Sequence, residues 1–157
     1  MLATELAALY ARDIARLIQE LRAFPDTATL WQTLPGVTNP AGNLALHLEG
    51  NLREYIGRQL GKVDYARERP LEFSQKDTDK DELVARLEEV HALVPRVVGG
   101  LSEEALATAY PEPFYGSSVS TQQFLIHLNG HLNYHLGQID YLRRALTGDG
   151  AIALTGL

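Results

Sequence analysis

Apolar residues recur at steps of three and four along almost the whole chain, and nowhere in the two-residue alternation of a half-buried strand. That pattern predicts an all-α protein. Leu2, Leu6, Leu9, Tyr10, Ile14, Leu17, Leu21 and Phe24 mark one face of a first helix, which Pro25-Asp26 stops. A second starts near Pro40, because Thr38-Asn39-Pro40 offers a capping side chain and a proline at the first helical position. It runs to about Leu60-Gly61 with Leu44, Leu48, Leu52 and Tyr55 inward. A third begins near Asp79 and carries Leu83, Leu87, Val90, Val94 and Val97. Pro95 is expected to kink or shorten its last turns before Gly99-Gly100 ends it. A fourth opens at Ser120, with Gln123 as the other half of a capping box, and ends near Thr147-Gly148. Four such helices read as a four-helix bundle with long crossover connections. One connection, Gly61–Thr78, is mixed in charge and expected in solvent; the other, Leu101–Val119, holds a short helix at Ser102–Leu106. A length of 157 residues suits one domain, here 1–148, followed by a C-terminal tail, 149–157.

Three of the five histidines, His127, His131 and His135, stand four residues apart on the fourth helix. At about 100° per residue the triplet drifts only about 80° around the axis, so all three share a face. Phe124, Leu128, Leu132, Ile139 and Leu142 fall on that side, whereas Asn129, Asn133, Asp140 and Arg144 fall opposite. The histidines are therefore expected to point into the bundle. His47 lies at the edge of the inward stripe of the second helix, and His91 on the flank of the third. No charged residue occurs between Asp26 and Glu49 or between Glu112 and Asp140. Such windows belong in the interior, where an unpaired charge is costly.

Several chemistries compete for these residues. Each imidazole could be a hydrogen-bonded core residue, but three on one apolar stripe need three sets of polar partners, and few are nearby. A metal ion answers that need: two histidines at i, i+4 present ring nitrogens to one ion, and a third from a facing helix completes a tripod. By spacing alone, His127 with His131 would serve as well as His131 with His135. A Ser-His-Asp hydrolase fits poorly, since Gly116-Ser117-Ser118 is not a nucleophile elbow and no strand precedes it. Phosphate-loop and dinucleotide signatures are absent. A net charge of −6, from 14 basic and 20 acidic residues, argues against nucleic acid as a partner. Arg143-Arg144 and Arg67-Glu68-Arg69 are too sparse for such a footprint and are expected on a solvated surface. With no cysteine, the chain has no disulfide, thiolate metal site or thiol nucleophile of its own. Met1-Leu2-Ala3-Thr4-Glu5 places an acid where a secretory leader needs positive charge, and no apolar run approaches the roughly 20 residues of a membrane span. The expectation is a cytoplasmic protein with no membrane partner.

The segment His131-Leu132-Asn133-Tyr134-His135-Leu136-Gly137-Gln138-Ile139 resembles the last-helix motif of the DinB/YfiT-like metalloprotein superfamily, His-x-x-x-His-x-Gly-Gln-Ile. Asn43-Leu44-Ala45-Leu46-His47-Leu48 is similar to that family's second-helix histidine in its apolar segment. The resemblance spans nearly the whole chain and implies a bundle with an unusual connection order, often dimeric. It implies that His47, His131 and His135 bind a divalent ion, that His127 lines the pocket one turn earlier, and that Gln138 lies near the site. Leu136 departs from the pattern, which commonly has a basic or polar residue there. Characterised relatives include thiol-dependent S-transferases and a mycothiol-dependent isomerase.

Three neutral imidazoles leave a +2 charge uncompensated, and the charge-free windows supply no carboxylate, so the open position would favour an anion. Zinc and nickel suit imidazole ligands, and iron(II) is admitted as well. The leading expectation is a metalloenzyme that activates a small-molecule thiol for attack on an electrophile, with His127 and Tyr134 as candidate proton-transfer residues. The alternatives are a metal-containing stress or ligand-binding protein without turnover, and a metal-dependent hydrolase. A homodimer is expected from the family habit and from Ile126 and Leu136, apolar residues outside the inward stripes.

Overall fold

A computed structural model describes residues 1–153; the last four residues of the expected tail lie outside the described residues. Four long helices carry the fold: α1 (Leu2–Arg22), α3 (Ala41–Leu52), α5 (Lys80–Gly99) and α7 (Thr121–Thr147). Short helices sit in the connections: α2 (Thr27–Leu30), α4 (Arg69–Ser74) and α6 (Glu103–Ala107). Among the described residues there is no strand, only two isolated bridges at Ala109–Ser120 and Phe114–Ser117. The all-α bundle expected from the apolar rhythm is the fold observed.

Local chemistry sets the helix ends. The Asp79 carboxylate accepts from the Asp81 and Glu82 N–H groups, and the Ser120 hydroxyl accepts from the Gln123 N–H at 3.1 Å, each satisfying donors that the first turn leaves free. Gly148 takes the left-handed conformation that closes α7. Pro95 neither stops nor shortens α5, which runs through it to Gly99; the ring removes only the bond that residue 95 would donate back to residue 91. The second helix is not uniform. After Leu52 it continues as a π-helix, Arg53–Arg58, with i→i−5 bonds such as Gly61 N–H to the Ile56 carbonyl at 2.9 Å.

α1 packs on α5 and α7, and α3 packs on the same two helices, so α1 lies diagonal to α3 and α5 diagonal to α7. Residues such as Tyr10, Ile14, Leu17, Leu48, Leu87 and Leu132 form one continuous apolar core between them. Ile126 stays exposed, whereas Leu136 packs against the core edge.

Packing draws polar residues into the interior and corrects two expectations about them. Asn129 and Asn133, opposite the histidines on α7, both donate to Asp13 on α1, which is fully buried. Arg143 is buried too, bonded to Glu20 at 2.5 Å and to the Gly150 carbonyl at 3.1 Å. The Gly61–Thr78 connection is not wholly solvated, because α4 tucks Glu72 against α3 and Arg67 follows it inward. Each polar residue enters the interior because a partner meets it there, a carboxylate for the two amides and for each guanidinium.

Candidate metal centre

His47 projects from the middle of α3, and His131 and His135 from successive turns of α7, which packs beside it. One ring nitrogen from each of the three can be chosen so that all lie within 4.8 Å of one another. The Nε2 atoms of His47 and His131 are 3.2 Å apart. The i, i+4 spacing of α7 brings the His131 and His135 rings together, with centroids 4.6 Å apart and planes nearly perpendicular.

The outer nitrogens are spoken for on two of the rings. His47 donates from Nδ1 to the Glu72 carboxylate at 2.8 Å, and His135 donates from Nδ1 to the Gln138 amide oxygen at 2.7 Å. With a proton on Nδ1, each of these two rings can turn an Nε2 lone pair to the cluster. His131 Nδ1 is buried without a partner among the described residues. Burial first, then the neighbouring imidazoles of His135, His47 and His127, push His131 down to about 4. Burial lowers His135 as well, against the opposing Gln138 bond. Both rings are thus neutral near pH 7, the form that binds a metal without first losing a proton. Lone pairs gathered with so few donors between them are unfavourable in a protein interior and match the needs of a cation. The donor set fits a divalent ion.

The carboxylate missing from the charge-free windows is present nonetheless. Glu72, on α4, is buried beside His47 and clasped by Arg67, whose Nε reaches one oxygen at 2.6 Å and Nη2 the other at 3.0 Å. Burial would raise this carboxyl, but the His47 and Arg67 bonds hold it below the usual range. Neither apolar periodicity nor the mixed charge of residues 61–78 signalled it. A lone acid two residues after Arg69-Pro70, where proline favours a helix start, was the available clue.

Two cavities flank the cluster. One, of about 320 Å³, is lined by His47, His131 and His127, the aromatic rings of Tyr55 and Phe114, and Arg69 at its rim. His127 is exposed to it, with its ring 4.4 Å from that of Phe114. The Oδ1 of Asn51 on the same wall is buried without a partner among the described residues. The other cavity, of about 660 Å³, is lined by His135, Gln138 and Tyr134 with Leu34, Leu44 and Leu142. Tyr134 is largely exposed there, its ring 5.2 Å from that of His135. The two candidate proton-transfer residues thus line different cavities, and His91 is not in the cluster.

A sequence model of the DinB superfamily matches residues 9–139. Two solved structures share the fold. A conserved protein from Enterococcus faecalis is 19% identical with a TM-score of 0.73, covering 92% of this chain and 96% of its own. A DinB-like protein from Bacillus cereus is 16% identical with a TM-score of 0.70, covering 97% of this chain and 95% of its own. No curated protein matches the sequence.

Proposed function

This chain belongs to the DinB superfamily, and on that premise we propose that it holds one divalent ion, zinc or nickel, at His47, His131 and His135 and transfers a small thiol to an electrophile. The observation that carries the reading is the convergence of three ring nitrogens within 4.8 Å, with Glu72 and Gln138 occupying the outer nitrogens of two rings. When bound, such an ion lowers the pKa of a coordinated thiol and presents it as a thiolate. The thiol must arrive from outside, because the chain contains no cysteine.

The protein's own groups supply the rest. The 320 Å³ cavity opens directly onto His47 and His131, so a ligand seated there reaches the cluster. Tyr55, Phe114 and Phe124 give it apolar walls that displace water from the reacting sulfur, and Arg69 supplies a cation at the rim. His127 faces the same space with an imidazole able to accept the proton that the thiol gives up on binding, before its sulfur attacks the electrophile. Tyr134, beside His135, faces the other cavity and would touch only a ligand entering there.

Pure metal-loaded protein incubated with several cellular thiols and an electrophilic acceptor tests the activity. Turnover that depends on thiol identity is expected; acceptor loss without thiol would indicate hydrolysis, and saturable binding without turnover a ligand-binding protein. Elemental analysis of variants tests the ligand set. His47→Ala, His131→Ala and His135→Ala should each lose nearly all metal, while His127→Ala keeps it and turns over more slowly and His91→Ala is unchanged. Full occupancy in His47→Ala would remove the three-histidine site.

A further inference from the structure

We propose that Glu72, delivered by the short helix α4, is a positioning residue that fixes the His47 imidazole for metal binding. This rests on the metal reading above. Five features build this arrangement. It is 7% exposed and accepts the His47 Nδ1–H at 2.8 Å, which orients the ring and holds it in the tautomer whose Nε2 lone pair is free. Arg67 grips both of its oxygens, so the carboxylate has little freedom to rotate away. Gly50, one turn after His47 on α3, leaves the space: a Cβ built there would overlap the Glu72 carboxylate. Asn43, one turn before His47 and fully buried, donates from Nδ2 to the carbonyls of Glu72 and Gln75 at 2.8 and 2.7 Å, tying α4 to α3. The half-buried Phe73 ring packs 5.0 Å from the imidazole and closes its other side. Asn43, His47 and Gly50 thus form one stripe of α3, shaped to receive α4.

A buried ion pair that merely holds α4 in place would behave differently from a group that acts on the metal ligand. Glu49 supplies the comparison: it is equally buried on α3 and paired with Arg53 and Arg86, yet it has no bond to a histidine. Zinc affinity of the full chain, measured by competition with a chromophoric chelator, should fall about 10- to 100-fold in Glu72→Leu. Glu72→Gln, which keeps an acceptor for His47 but loses the charge, should recover part of that loss. Gly50→Ala, which displaces the carboxylate without altering it, should weaken binding in the same direction. Glu49→Gln should lower thermal stability and leave zinc affinity within about threefold, well below the 10- to 100-fold loss that removal of a ligand-orienting group produces. The visible spectrum of the cobalt(II)-substituted protein should change in the Glu72 and Gly50 variants and stay unchanged in Glu49→Gln. Circular dichroism identifies any variant that fails to fold, and the remaining ones decide the question. Wild-type affinity and an unaltered cobalt spectrum in Glu72→Gln and Gly50→Ala would overturn the role of Glu72 alone. A wild-type chain that binds no zinc and no cobalt would overturn the metal reading itself, and that arm involves no variant.

Discussion

Asp13 shows how much one residue can carry in this bundle. Its carboxylate is fully buried on α1, yet Arg12 donates to it at 2.7 Å, Asn133 at 2.7 Å and Asn129 at 3.2 Å. Burial would raise its pKa; the Arg12 guanidinium and the two amides more than offset that and hold it below the ordinary value. A carboxylate depressed in the folded state contributes its stability above the unfolded pKa of about 3.9 and loses it as pH falls through the folded value. Asp13→Asn should therefore cost about 1–3 kcal/mol at pH 7, the range for buried groups deprived of a partner. Urea unfolding of the variant should show a shallower decline in stability below pH 4 than the parent. A parent and variant with parallel pH profiles would show that Asp13 is not the group titrating. Nothing in the apolar spacing revealed this role. Asp13 interrupts an apolar stretch and looks like a surface residue until Asn129 and Asn133 of α7 are set against it.

Among the elements, α4 does more than its six residues suggest. Its attachment to α3 runs through Asn43, whose oxygen also accepts from Lys76 at 2.7 Å. Asn43→Ala removes the donors to two carbonyls and an acceptor from one ammonium. It should raise hydrogen exchange across residues 69–76 by tenfold or more, with a smaller change in α1 and α5, because local opening precedes global unfolding. Uniform acceleration over all helices would mean that α4 is not a separate unit. Helices α1, α5 and α7 were legible because burial of one face imposes a period of 3.6 residues over 20 or more positions, and the His-x-x-x-His spacing shares that period. α2 and α4 are too short to show any period. The π-helical stretch follows from bonding choices at Arg53–Arg58 that leave the apolar rhythm unbroken, so only the structure shows it.

At the scale of the molecule, the histidine cluster joins α3 to α7, one of the packed helix pairs on which closure of the bundle depends. A metal ion held there would bind the folded chain more tightly than the unfolded one, and so stabilise the fold by mass action. Free zinc at 100 times its dissociation constant should add about 2.7 kcal/mol, roughly 5–10 °C in Tm for a chain of this size. Differential scanning calorimetry with and without zinc measures the increment, and His131→Ala should abolish it. A zinc-independent Tm in the parent chain would show that no ion bridges the two helices. The separation of the ligands along the chain has a consequence for biosynthesis. His47 and His131 are 84 residues apart, and α7 is made after α3 and α4. A nascent chain already carries His47 and Glu72 while the other two imidazoles are still untranslated, so the full donor set forms only once α7 has been made and has packed on α3. If the cluster holds an ion, its selection is thereby deferred until those two helices have met, and what the surroundings then offer sets the choice.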